Sequence, residues 1–314
     1  MRRIIIDTDM GIDDLMAIAF MLYFPEVNIE AITTVYGVVE VGLSSKNALK
    51  ILEALGKKDI PVYQGVGKPL VRSSFKNGRF VHGDNGLGNV SLLEPTQTVM
   101  SKHAVDFIID EVMKKPNKIE ILALGPITNI ALALSLKPEI AKKIKKIVFM
   151  GGAFLSPGNV SPMASSNVFK DPESLKVVLD SGVSFTFVGL DVTKKVIFTA
   201  QDLNTLKKTG KAGKLVSDVC QFRIGLAATE VIEGDRKGFI SSDAVTAIYT
   251  INQDLFRTKS LAVDVEIKGE YTYGKTVGDF NNQYGKEPNA IVCMGVNAKR
   301  AADFYIQQFV KNAL

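Results

Sequence analysis

Residues 7 to 14, DTDMGIDD, place Asp7, Asp9, Asp13 and Asp14 in one short stretch. Carboxylates this close repel one another, and such a group either takes up protons or holds a cation. The stretch is preceded by Ile4, Ile5 and Ile6, which read as a strand of a covered parallel sheet. It is followed by Leu15, Ile18, Ala19 and Leu22 at helical spacing. The acids therefore belong at the carboxyl end of a strand and the amino end of a helix. In an open α/β sheet that is where ligands bind, and Gly11 allows the sharp turn between the two.

Two more stretches carry oxygen ligands. Asp243, in FISSDAVTAI, is a lone acid opening an apolar helix; it reads either as a helix cap or as another ligand. In ALGPITNIA, residues 123 to 131, the Gly125-Pro126 turn ends a strand and leaves carbonyls near Thr128 facing the same crevice. Carboxylates and carbonyls together suit a hard cation. Ca²⁺ takes six to eight oxygens, and Mg²⁺ needs a tighter octahedron.

The elements that must hold these residues alternate along the chain. Strand patterns at 29–35, 61–65, 118–125 and 146–152 are interleaved with helical patterns at 44–55, 103–113 and 129–136. This βαβ rhythm predicts one α/β domain over residues 1–314, with a central, mostly parallel, Rossmann-like sheet flanked by helices. The later part is less regular, with SFTFVGLDV at 184–192, LAVDVEI at 261–267 and a final helix from Ala298. Two long Gly-rich stretches, 65–89 and 151–167, interrupt the rhythm, and loops of that length are usually functional.

Composition narrows the function. A net charge of +5 with no tryptophan, and a densest basic run at Lys142 to Lys146 that reads as a solvated helix end, argues against nucleic-acid binding. No apolar run suits a membrane span, and MRRIIIDTD reaches its acids too soon for a secretory signal, so a cytoplasmic protein is expected. Cys220 and Cys293 read as core residues. Of the two histidines, His103 opens an amphipathic helix as a surface residue, whereas His82 lies in a Gly-rich stretch beside Asp84 and Asn85.

Taken together, DTDMGIDD, TTVYG (33–37), VHGDNGL (81–87), ALGPITNIA, the GG…GN…P…N…DPE pattern from Gly151 to Glu173, and SDAVTAI resemble the inosine-uridine preferring nucleoside hydrolases. The match runs through nearly the whole chain in the family's order. The resemblance implies a calcium-dependent enzyme that cleaves the N-glycosidic bond of ribonucleosides in nucleoside salvage, as a homodimer or homotetramer. It implies Ca²⁺ ligands at Asp9, Asp14, Asp243 and the Thr128 carbonyl, with Asp9 also the base toward water. It further implies Asp13 and Asn167 on the ribose 2′ and 3′ hydroxyls, Asn159 as another sugar contact, His82 near the base, and Asp7 as structural support. A site rich in acids suits the oxocarbenium-like transition state of such a cleavage.

The sequence departs from the family's pattern within the pocket. Met10 replaces a usual proline; Val38 stands where an asparagine is common, Ser165 where a sugar-binding glutamate is common, and Ser242 where many members carry a histidine as leaving-group acid. Serine at its ordinary pKa cannot replace that acid. Arg223, Arg236 or Lys237 could hydrogen-bond the departing base instead. Two other readings follow: a family member that binds nucleosides or sugars with lost or altered catalysis, and a phosphatase like the haloacid dehalogenases, with Asp7 as nucleophile and Asp9 as acid.

Overall fold

Ile4, Ile5 and Ile6 expose no surface. Ile4 and Ile6 pack into one hydrophobic core and Ile5 into another, on the opposite face of the same sheet. That alternation is the two-residue period of a strand covered on both sides, which is why the run is apolar throughout. The structure is a computed structural model and describes residues 1–73, 77–227 and 237–312.

The strand Arg2–Thr8 lies between Val27–Thr34 and Ile119–Ala123 and is parallel to both. Outward from Val27–Thr34 comes Val62–Gln64. Outward from Ile119–Ala123 come Lys146–Met150, Phe185–Val188 and Ala290–Val296, all parallel, and then Phe256–Leu261, antiparallel at the edge. The result is one eight-stranded sheet, with helices supplying the core on each face. The strand order reverses beside Arg2–Thr8, so a crevice opens there between the carboxyl ends.

The strand-like 261–267 does not stay whole. Leu261 ends the edge strand, and Val263–Val265 pairs instead with Thr276–Gly278 in a two-stranded sheet. The Asn289 side chain holds both the Val263 amide and its carbonyl, which draws this segment off the main sheet. Ile197–Phe198 and Phe239–Ile240 form a second small sheet.

At the amino end of the sheet, buried Glu120 accepts hydrogen bonds from Arg2 at 2.6 Å and Lys145 at 2.9 Å and lies 3.4 Å from Lys146. The first helix, Ile12–Met21, packs mainly on Ser242–Ile251 and is covered in part by the last, Ala298–Lys311. Tyr305 donates its hydroxyl hydrogen to the Met16 carbonyl at 2.9 Å, and its ring stacks on Phe20. Cys220 and Cys293 are both buried free thiols. Among the described residues, no helix is long and apolar enough to cross a membrane.

Candidate active site

At the carboxyl end of the central strands lies a cavity of about 420 Å³, within the size range of small-molecule sites. Its floor comes from the turn after Arg2–Thr8, which brings Asp9, Asp13 and Asp14, and from the first turn of the helix Ser242–Ile251, which brings Asp243. One carboxylate oxygen each from Asp13, Asp14 and Asp243 lies within 4.8 Å of the others. Asp243 therefore does more than cap its helix; the N-cap is Ser241.

The turn is built tightly. Asp14 accepts hydrogen bonds from the Thr8 hydroxyl and, at 2.7 Å, from the Gly11 amide. Met10 adopts φ +53°, a left-handed conformation uncommon for a residue with a side chain. Its amide donates to the Thr8 hydroxyl at 3.1 Å. At Gly37 a Cβ would stand 2.0 Å from an Asp9 carboxylate oxygen, and at Gly11 it would stand 2.5 Å from His82 Nδ1. Both glycines are close-approach positions that no side chain could fill.

Burial drives the electrostatics. It pushes the Asp14 carboxyl up to about 8, with repulsion from Asp9 and Asp13 adding to the shift. Asp243 is pushed well above the ordinary range by burial and by Asp13, Asp14 and Asp9. Asp9 also rises through burial, against the pull of Lys170. Three carboxylates converging at this distance, short of compensating charge, fit a hard divalent cation, which would remove the cause of these shifts.

The walls differ in character. On one side the loop 151–165 and the helix Ser166–Lys170 present Asn159, Val160, Ser166, Asn167 and Lys170. The loop is held by Asp191, whose carboxylate accepts from the amides of Phe154, Leu155 and Ser156. Asn159 accepts from the Ser166 amide at 2.8 Å, while Asn167 donates to the Leu124 and Met150 carbonyls at the strand ends. On the other side stand Phe80, Val81, His82, Arg223, Ile240 and Ser242.

His82 Nδ1 accepts from the Ile12 amide at 3.1 Å and lies 3.5 Å from Asp13. Burial lowers its pKa to about 4, with Arg223 and Lys170 contributing and Asp13 opposing. The ring is therefore neutral near pH 7, with its hydrogen on Nε2. Arg223 contacts the Val81 and Ile240 carbonyls, both at 3.5 Å, and Ser242 donates to the Thr193 hydroxyl at 3.1 Å.

The cavity thus gathers seven of the eight residues that the sequence singles out: Asp9, Asp13, Asp14, His82, Asn159, Asn167 and Asp243. Thr128 is the exception and requires a correction. It does not line the cavity, and its hydroxyl donates to Asp171 at 2.7 Å and pairs with Tyr36. Thr128 already begins a helix, where carbonyls point along the axis to residues four further on. The carbonyl that leaves the strand end belongs to Leu124, a cavity residue. Sequence reasoning also missed Lys170, whose ammonium lies 3.5 Å from Asp9 with its side chain only 5% exposed; its spacing of three from Asn167 on one short helix was the available signal.

Other residues fall outside this role. Ser165 is buried and accepts from the Gly152 amide, so it does not face the cavity, whereas Val38 does. Asp7 is buried beneath the site on Thr33 and Asn129 and does not line the cavity, which removes it as a nucleophile and with it the phosphatase reading. His103 caps its helix at the surface, Lys237 is exposed, and Arg236 lies outside the described residues.

Known proteins resemble this chain over most of its length. The family described as inosine-uridine preferring nucleoside hydrolase matches residues 4–303. Uridine nucleosidase 1 of Arabidopsis thaliana is 41% identical over 85% of this chain and 79% of its own length. The non-specific ribonucleoside hydrolase RihC of Escherichia coli is 35% identical over 94% of each chain. Among solved structures, the purine-preferring ribonucleoside hydrolase from Gardnerella vaginalis superposes with a TM-score of 0.93 at 32% identity, covering 99% of both chains. The chain belongs to the inosine-uridine preferring nucleoside hydrolase family, whose reaction is hydrolysis of the N-glycosidic bond of nucleosides.

Proposed function

We propose that the cavity hydrolyses ribonucleosides to free base and ribose with the help of one Ca²⁺, and that uridine is among its substrates. The observation carrying this reading is the convergence of Asp13, Asp14 and Asp243 beside Asp9 at the strand ends. Asp9, Asp14, Asp243 and the Leu124 carbonyl are the proposed ligands, with Leu124 taking the place expected of Thr128. When bound, the cation neutralises the acids and makes water and sugar hydroxyls beside it more acidic.

The protein's own groups then divide the work. Asp9 accepts a proton from the attacking water, since its carboxylate lies at the cavity floor. Asp13 and Asn167 hold the 2′ and 3′ hydroxyls, and Asn159 the far end of the sugar. The acidic floor stabilises positive charge developing on the ring. Neutral His82 offers its Nε2 hydrogen to the base, and Arg223 stands next to it as a second donor. The uridine assignment rests on the Arabidopsis relative. Folding in the cytoplasm and self-association are parts of the same proposal, carried by the family.

Ser242 supports one alternative, a member with altered catalysis, because no protonated acid occupies that place in the cavity. A panel of uridine, inosine and a nitrophenyl riboside, with and without chelator, separates the two. The hydrolase reading expects release from all three that is lost with chelator, the activated riboside being faster by about two to four orders of magnitude. Tight binding without release of any product would overturn it.

A further inference from the structure

Lys170 is a buried cation in a cavity whose other floor charges are negative. It is 6% exposed and ends the short helix Ser166–Lys170. Its ammonium carries three donors, and among the described residues its one hydrogen-bond partner is Asp9, at 3.5 Å. The acids divide accordingly. Asp13, Asp14 and Asp243 turn oxygens toward a common centre, and Asp9 is absent from that group and faces the lysine.

We propose that Lys170 is a positioning residue, a tethered counter-cation that competes with the divalent ion for Asp9 and thereby sets how tightly this site holds its metal. The inference rests on the reading of the acid cluster as a metal site. Two physical effects act in the same direction. A fixed positive charge at the cavity floor repels an arriving cation, and burial leaves that repulsion poorly screened. The ammonium also occupies an Asp9 oxygen that the metal would otherwise share. Formal charge on the floor, apart from Lys194 and Arg223 that also line the cavity, shows the scale: Asp9, Asp13, Asp14 and Asp243 bring four negative charges, a divalent ion leaves two of them, and Lys170 leaves one. The site retains a net negative floor for a cationic transition state while holding its metal less tightly than four acids alone would.

The test measures Ca²⁺ affinity directly, by calorimetry on chelator-stripped wild type, Lys170→Met and Lys170→Arg. Lys170→Met removes the charge with little loss of volume and is expected to bind Ca²⁺ at least roughly tenfold more tightly, whereas Lys170→Arg stays near wild type. A merely structural lysine predicts the opposite sign, since its loss would loosen the site. Equal or weaker binding by a cooperatively melting Lys170→Met overturns the proposal. If that variant does not survive stripping, the metal-loaded protein is mixed with excess chelator: slower Ca²⁺ release than wild type supports the inference, and equal or faster release overturns it. Absence of Ca²⁺ uptake by wild type and both variants alike would overturn the metal reading itself, and the inference with it.

Discussion

The two ends of the central sheet solve opposite charge problems. At the amino end, Glu120 is buried, yet Arg2, Lys145 and Lys146 more than offset the penalty of burial and hold its carboxyl at about 2. At the carboxyl end, Asp9, Asp13, Asp14 and Asp243 share one cavity with Lys170 on the floor, and burial pushes Asp14 up to about 8. The same physics gives shifts of opposite sign because one acid has a surplus of cations and four acids have too few. A surplus holds strands together. A deficit makes a site that must be completed by something from outside the chain.

That contrast can be broken most sharply at Asp9. Asp9→Asn is nearly isosteric but cannot accept a proton, so turnover should fall by about two to four orders of magnitude while nucleoside binding persists. Near-normal turnover would place the base elsewhere and leave the acidic end without its assigned chemistry.

Next in size is the turn that holds the acids. Met10→Pro restores a residue common in the family, yet the ring fixes φ near −65° where Met10 has +53°, and it deletes the amide that bonds Thr8. We expect a loss of about 2–3 kcal/mol of stability, with weakened metal binding. Unfolding in denaturant that matches wild type would show that this turn readily adopts the other backbone.

At the opposite end, Glu120→Gln should cost about 1–2 kcal/mol, kept modest by the partial exposure of its three cationic partners. Turnover per folded molecule should be unchanged. A fall in kcat would mean that the two ends are not independent.

The last contrast is one of pH, and its sign differs between the ends. Glu120, with its folded pKa lowered from 4.5, contributes stability that is present above pH 4.5 and lost as pH falls toward about 2. Asp14, raised from 3.8, contributes stability that is present below pH 3.8 and lost as pH rises through about 8. Metal-stripped protein should therefore melt highest in mild acid and lower toward alkaline pH, and Ca²⁺ should flatten the alkaline side by binding the ionised acids. Melting curves of stripped protein that rise steadily to pH 9 would contradict the deficit at the carboxyl end.

Much of this contrast was legible in the sequence where local pattern decides it. The isoleucine run, the acids after it and the helical spacing from Leu15 fix strand, site and helix within a few residues, because sheet pleat and helix periodicity are local. Thr128 shows where that stops. A strand's end can be read only approximately, and a shift of four residues decides whether a carbonyl faces the cavity or a helix axis. Lys170 and Glu120 were illegible for another reason. Their partners, Asp9 and Arg2, are more than a hundred residues away, and which charges a buried residue meets is set by packing that no local pattern records. The tautomer of His82 likewise depends on a bond from Ile12, seventy positions earlier.

The bond from Tyr305 to the Met16 carbonyl ties together residues 289 positions apart. The helix carrying Asp13 and Asp14 is therefore made well before this cover. Contacts of such separation close slowly. A growing chain therefore presents an apolar, acid-tipped helix without this cover until Tyr305 has been made, and truncations that remove Ala298–Lys311 should strand it as an aggregation-prone intermediate.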